Sequence, residues 1–252
     1  MLLEQTFDQL TTLQLHGMVA ALHRFADSAP PPDLAPTDLV GLLADAECTY
    51  RDTRKLQVRL KQAKLRQPAC IEDIDYRHPR GLSKPLLLEL ASSRWVAQHQ
   101  HIIITGKTGV GKSFLACALA HKACRDGYPV TYRRFSRLLD ELAQARADGT
   151  YLAALRRLAK TRVLVLDDFG LEPLGPNDRR ILLDLLEDRY GLSSTIVTSQ
   201  LEPDCWHGVI GEETAADSIC DRLVHEAHRL KLSGESIRKT TSSLNGPAKS
   251  GK

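Results

Sequence analysis

HIIITGKTGVGKSFLACALA, residues 101–120, passes from an apolar run through three glycines and two lysines into a second apolar-rich stretch. HIIIT reads as a short buried strand and FLACALA as the first turns of a helix, so the glycines mark a strand-to-helix turn. Within it, Gly106, Gly111, Lys112 and Ser113 fit the pattern G-x-x-x-x-G-K-[ST]. Glycines let the backbone curl until several N–H groups point at one phosphate, and the opening helix adds the positive end of its dipole. Lys112 then reaches the outer phosphates and Ser113 ligates Mg²⁺. The candidate phosphate-binding set is Gly106, Lys107, Thr108, Gly109, Val110, Gly111, Lys112, Ser113 and Phe114.

A metal in such a loop needs a carboxylate from across the sheet. VLVLDDFG, residues 163–170, is a buried strand that delivers Asp167 and Asp168 at its C-terminal edge, where open α/β sheets bind their ligands. Asp167 is the candidate Mg²⁺ partner, through water, and Asp168 the candidate that orients the attacking water. A further strand, TIVTS, ends in Thr198, Ser199 and Gln200. Ser199 is the favoured partner for the γ-phosphate or the water, and an ordinary strand-ending turn fits the residues equally well. No N-K-x-D guanine-reading motif is present, so ATP is expected over GTP.

Outward from this centre the chain alternates strands and helices, which predicts an α/β domain on a mostly parallel, five-stranded sheet. The strands are HIIIT, VTYRRF, VLVLD, TIVTS and RLKL, with a last helix expected around 216–228. Upstream, residues 37–67 read as one long helix capped at Thr37 or Asp38 and stopped by Pro68, preceded by a weaker helical pattern over 3–27. The expected organisation is a helical N-terminal domain (1–70), a lead-in (71–100), a core (101–240) and a disordered tail (241–252). A composition of 42% apolar and 26% charged residues suits a globular chain. No apolar run approaches the ~18 residues that cross a bilayer, and MLLEQTFDQL lacks a basic n-region with an apolar core, so the expectation is a bacterial cytoplasmic protein without a membrane partner. The six cysteines include no C-x-x-C pair. HEAH at 225–228 spaces its histidines three apart rather than the four of a zinc helix, and reads as two polar residues on a solvated helix.

The net charge of +3 is too small to name a partner. Locally, however, Arg51, Arg54, Lys55, Arg59, Lys61, Lys64 and Arg66 face only Asp52 in opposition. A second group comprises Arg133, Arg134, Arg137, Arg156, Arg157, Lys160 and Arg162. Each is a candidate DNA surface, the alternative being a solvated charged face. Few aromatics accompany them, so contact with the backbone of duplex DNA is expected rather than base stacking.

The glycine loop, the Asp-Asp strand, GLEPL at 170–174, the TSQ strand end and DRL…GESIRK together resemble the IstB-like transposition helper ATPases, a branch of the AAA+ superfamily close to the DnaC helicase loaders. The resemblance implies a P-loop AAA+ core with TIVTS between HIIIT and VLVLD, and no C-terminal lid domain. It also implies ATP-dependent self-association into a ring or spiral, with Arg222 as an arginine finger in the neighbour's site and Arg238 of the S-x-R ending as a sensor. The implied function is an ATP-dependent helper that assembles on duplex DNA and recruits a cognate transposase. The alternatives are a helicase loader and a module that binds ATP without hydrolysing it. Asp168 departs from the Glu usual in the superfamily, which implies slow or partner-dependent hydrolysis.

Overall fold

The computed structural model describes residues 2–27 and 34–236, with side chains from residue 4. The described chain forms two compact units divided between Val58 and Arg59. The first comprises α1 (Leu2–Thr12), α2 (His16–Asp27) and most of α3 (Pro36–Ala63). The single helical pattern expected over 3–27 is two helices. Gln14 takes a left-handed φ of 59°, and Leu15 N–H turns back onto the Leu10 carbonyl at 2.9 Å. Nor does α3 start after Thr37 or Asp38. It starts at Pro36, whose missing N–H costs nothing in the first turn.

Gly17 lets α2 approach α3, since a Cβ there would lie 2.5 Å from the Ala46 carbonyl oxygen and 2.6 Å from Glu47 Cα. The buried Glu47 carboxylate accepts the Gly17 and Met18 N–H groups at 2.6 and 3.2 Å, supplying the start of α2 with acceptors. Gly17→Val is therefore expected to destabilise this unit by about 1–3 kcal/mol. Thermal melting read by circular dichroism checks it, and an unchanged midpoint would show that the helices part without cost.

In the second unit the lead-in is folded, with α4 (Lys84–Leu90) and α5 (Arg94–Ala97) burying Leu87, Leu90, Trp95 and Val96. The core then runs β1 (His101–Thr105), α6 (Lys112–Arg125), β2 (Val130–Arg134), α7 (Phe135–Ala147), α8 (Tyr151–Ala159), β3 (Val163–Phe169) and α9 (Pro176–Glu187). It closes with β4 (Ser194–Ser199), α10 (Trp206–Ile210), α11 (Glu213–Val224) and β5 (Ala227–Lys231). The sheet order is β2-β3-β4-β1-β5 with every pair parallel, so β4 lies between β1 and β3 as expected.

Strands β1 and β4 are buried along their whole length, because both faces of the sheet are covered and no polar alternation is needed. Ile103, Leu164, Leu166 and Val197 join residues of α7 to α11 in one cluster. Helix α6 packs on the sheet with Leu115, Ala118 and Leu119 buried. His101 is buried in β1, where its Nδ1 accepts the Thr195 N–H at 3.0 Å and burial pushes its pKa down to about 4.

The expected helix through His228 ends at Val224. Of HEAH, His225 and Glu226 form a turn and Ala227 and His228 begin β5, where His228 Nε2 lies 2.8 Å from Gln100 Oε1. After β5 the chain turns over the glycine loop, with Leu232 N–H on the Thr105 carbonyl at 2.8 Å and Ser233 N–H on the Arg80 carbonyl at 2.9 Å. Among the described residues no helical lid follows, and no helix is long and apolar enough to cross a membrane. Arg238 and the 241–252 tail lie outside the described residues.

Candidate functional site

The glycine loop occupies the C-terminal edge of the sheet, between β1 and α6. Gly106 has φ 143° and Gly109 φ 88°, and a Cβ on them would lie 2.3 Å from the Leu232 carbonyl oxygen and 2.1 Å from Ser236 Oγ. Only glycine admits both the conformation and the crossing segment at these positions. Helix α6 opens after Gly111 without a side-chain cap, which leaves its first N–H groups for an anion. Lys112 is 6% exposed and folds across the loop, its Nζ donating to the carbonyls of Gly106 and Lys107 at 2.7 and 2.9 Å. Ser113 Oγ donates to Asp167 Oδ1 at 2.8 Å.

Asp167 is fully buried. Its Oδ1 also accepts from Thr198 Oγ1 at 2.6 Å, and its Oδ2 accepts from the Tyr132 hydroxyl and from Arg66 Nη1 at 3.0 Å. Burial pushes this carboxyl up, but the hydrogen bonds from Thr198, Tyr132, Ser113 and Arg66 outweigh it and hold the pKa below the ordinary value. Between Leu166 and Phe169 the pairing with β4 shifts register, and Asp168 takes a left-handed φ of 63°. Such an irregularity re-aims a side chain, and a non-glycine residue in that region marks a conformation held by its surroundings. The Asp168 backbone N–H donates to Thr198 Oγ1 at 3.0 Å, and its carboxylate lies 3.4 Å from Arg134 Nε and 3.7 Å from Arg66 Nη1.

These groups wall a cavity of about 630 Å³, a volume that suits a nucleotide. The lining includes Thr108, Gly109 and Gly111 to Phe114 from the glycine loop and α6, together with Asp168, Gln200, Arg134, Arg66, His78 and Arg80. Among the described residues, His78 Nε2 and Arg80 Nε are buried without a partner. Two orphaned polar atoms beside an uncapped helix start and a Ser–Asp pair fit a polyanion with its metal.

The structure thus brings Gly106 to Phe114, Asp167 and Asp168 to one place. It turns Ser199 away. The Ser199 hydroxyl donates to the Phe169 carbonyl at 2.9 Å and accepts the Leu201 N–H at 3.1 Å, whereas Thr198 meets Asp167 and Gln200 lines the cavity. Strand alternation explains the correction, because neighbouring side chains point to opposite faces. Arg222 does not line the cavity. On α11, its Nη1 donates to the Ser218 carbonyl at 2.9 Å, its Nη2 pairs with Glu187, and its guanidinium faces the Tyr190 ring at 5.9 Å.

The basic candidates divide. Arg54, Lys55 and Lys61 are exposed on α3, while Arg51 pairs with Glu47 at 2.6 Å. Arg59 is partly spent, donating from Nε to the Cys124 carbonyl at the end of α6 at 2.8 Å. Arg137, Arg156 and Arg157 are exposed on α7 and α8. Arg133 bonds the Tyr132 carbonyl and Glu141, and Arg134 belongs to the cavity. The sequence reading named Thr198 but favoured Ser199, missed Tyr132, His78 and Arg80, and counted Arg66 and Arg134 among the basic clusters.

A family model described as IstB-like ATP binding protein matches residues 8–245. The chain belongs to the IstB-like ATP-binding protein family. It is 49% identical over 239 residues to a Sinorhizobium fredii protein named for an insertion sequence and ATP binding, covering 95% of this chain and 98% of that one. A Mycobacterium tuberculosis protein, likewise named for ATP binding in an insertion sequence, is 32% identical over 230 residues, covering 91% and 92%. Among solved structures, the DnaC helicase loader aligns with a TM-score of 0.54 at 22% identity, covering 65% of this chain and 96% of that one. AMPPCP-bound DnaA from Aquifex aeolicus aligns with a TM-score of 0.57 at 18% identity, covering 69% and 53%. These two show the fold alone, an α/β core on a parallel sheet like theirs. Family membership makes the chain a transposition-associated, ATP-binding protein, and the cavity at the glycine loop is where its residues suit a nucleotide.

Proposed function

We propose that the protein is an ATPase that assembles on duplex DNA in its Mg·ATP state and recruits a separate transposase in the bacterial cytoplasm, hydrolysis resetting the complex. The observation that carries this reading is the Ser113–Asp167 hydrogen bond at 2.8 Å, with Asp168 beside it in the same cavity. Ser113 Oγ and, through water, Asp167 would hold Mg²⁺, which neutralises charge on the outer phosphates. Backbone N–H groups of Gly109 to Ser113 and the Lys112 ammonium bind the phosphates. Asp168 accepts a hydrogen bond from the water that attacks the γ-phosphorus, so that ADP leaves as its oxygen bond breaks. Gln200 replaces Ser199 as the polar strand-end group facing that water.

Arg222, outside its own chain's cavity, is assigned to a neighbouring protomer's γ-phosphate, which makes assembly a condition of turnover. The exposed cations Arg54, Lys55 and Lys61, with Arg137, Arg156 and Arg157, are assigned to phosphate backbone. A transposase supplies the strand-transfer chemistry, because both carboxylates at the site serve the nucleotide.

The test is anisotropy of a labelled duplex with and without AMPPCP and Mg²⁺. The parent is expected to bind DNA in a nucleotide-dependent way. Lys112→Ala, which removes a charge-assisted contact worth about 1.5–3 kcal/mol, is expected to weaken nucleotide binding by about 10–100-fold and to lose the DNA response. Arg54→Ala with Lys55→Ala is expected to flatten the salt dependence by about 0.9 in slope for each phosphate no longer neutralised. DNA binding by Lys112→Ala equal to the parent's would sink the reading.

A further inference from the structure

Between the end of α3 at Ala63 and Cys70, the chain runs along α6. Lys64 turns it with a left-handed φ of 51°. Ala63 and Ala69 are buried, and the backbone of Arg66 and Gln67 faces the Cys117 thiol on α6, offsetting part of the rise that burial gives its pKa. The backbone of residue 66 thereby lies beside the helix that opens with Lys112 and Ser113. From this anchor the side chain enters the cavity, and Nη1 bridges Asp167 Oδ2 at 3.0 Å and Asp168 Oδ2 at 3.7 Å.

Two adjacent carboxylates, one of them fully buried, need a positive charge or a proton. Arg66 supplies a charge that meets both carboxylates, and Arg134 adds a second at Asp168. Asp167 has four donors on its two oxygens, and three come from regular elements: Ser113 on α6, Thr198 on β4 and Tyr132 on β2. The fourth, Arg66, comes from an irregular stretch and keeps a side chain 43% exposed. A hydrated cation beside Ser113 calls on the same carboxylate pair, and a guanidinium and a divalent cation repel each other there. The donor free to leave is Arg66.

We propose that Arg66 is a positioning residue that holds the Asp167–Asp168 pair and is displaced by magnesium when the metal–nucleotide complex binds. The inference rests on the nucleotide-site reading above. Arg66 sets how much Mg²⁺ the site requires, and its release loosens residues 64–69 at the root of α3. Metal occupancy is thus reported at the end of the helix whose exposed face carries Arg54, Lys55 and Lys61.

The experiment titrates Mg²⁺ against the parent and two variants with fluorescently labelled AMPPCP, which reads binding without turnover. Arg66→Gln is expected to lower the half-saturating Mg²⁺ concentration by about 3–10-fold, a charge-assisted contact discounted for its solvent exposure. Arg66→Lys, which keeps the charge, is expected to stay within about 2-fold of the parent. Hydrogen exchange on the parent provides a readout independent of any variant's folding. Residues 64–69 are expected to exchange faster with Mg·AMPPCP than with AMPPCP and no metal. An unchanged Mg²⁺ midpoint in Arg66→Gln, weaker nucleotide binding at saturating Mg²⁺, or slower exchange at 64–69 with metal would each overturn the proposal. Failure of the parent to bind AMPPCP at all would be a different result and would remove the nucleotide site itself.

Discussion

Asp168→Asn is expected to lower ATP turnover by about 10²–10⁴-fold, the range for losing a positioned general base, with nucleotide affinity close to the parent's. The substitution is conservative where it needs to be. Asp168 sits at φ 63°, and asparagine is among the few residues that accept that region. The backbone N–H to Thr198 Oγ1 does not depend on the side chain, and the buried Asp167 is untouched. What disappears is the charge facing Arg134 and Arg66 at 3.4 and 3.7 Å, and with it the acceptor for the water's proton. Phosphate release measured beside equilibrium nucleotide binding separates the two effects, and DNA complexes formed with ATP are expected to persist longer. Parent-like turnover would exclude Asp168 from hydrolysis.

Arg222→Ala is expected to be as severe, about 10³–10⁵-fold in turnover if its guanidinium stabilises charge on a neighbour's γ-phosphate. The side chain now satisfies the Ser218 carbonyl and Glu187 on its own chain, so its loss costs little structure, which thermal melting verifies. Mixing provides the sharper measurement. Arg222→Ala protomers retain Asp168, and Asp168→Asn protomers retain Arg222, so a joint assembly regains some complete sites while neither variant is active alone. Unchanged turnover in Arg222→Ala would place the residue outside the reaction, and lost turnover with no recovery on mixing would place it outside a neighbour's site.

The parts of this molecule legible in the sequence are those where chemistry restricts residue type. The glycine loop and the Asp-Asp strand end suit phosphate and metal and little else, and they fixed the sheet around them. Strand β4 shows the limit. It is buried along both faces, so no alternation revealed whether Thr198 or Ser199 turns to Asp167, and the register shift in β3 compounded the ambiguity. Arg66 and Arg134 were unreadable for another reason. A run of basic residues looks the same whether its members face water or reach a carboxylate about a hundred positions away, as Arg66 reaches Asp167. Short helices such as α4, α5 and α10 carry too few turns for periodicity to register. HEAH failed because β5 buries only Leu230 fully, and a strand with one inward residue has no pattern.

The stretch from Leu232 to Ser236 lies so close over Gly106 and Gly109 that neither can carry even a methyl group. Its length is therefore metered. Most surface connections absorb an extra residue by bulging outward, but this one is tied at Leu232 and Ser233 and passes close over Gly109 at Ser236. An insertion here is expected to lift the clasp from the glycine loop, which makes these five positions poor ground for peptide tags.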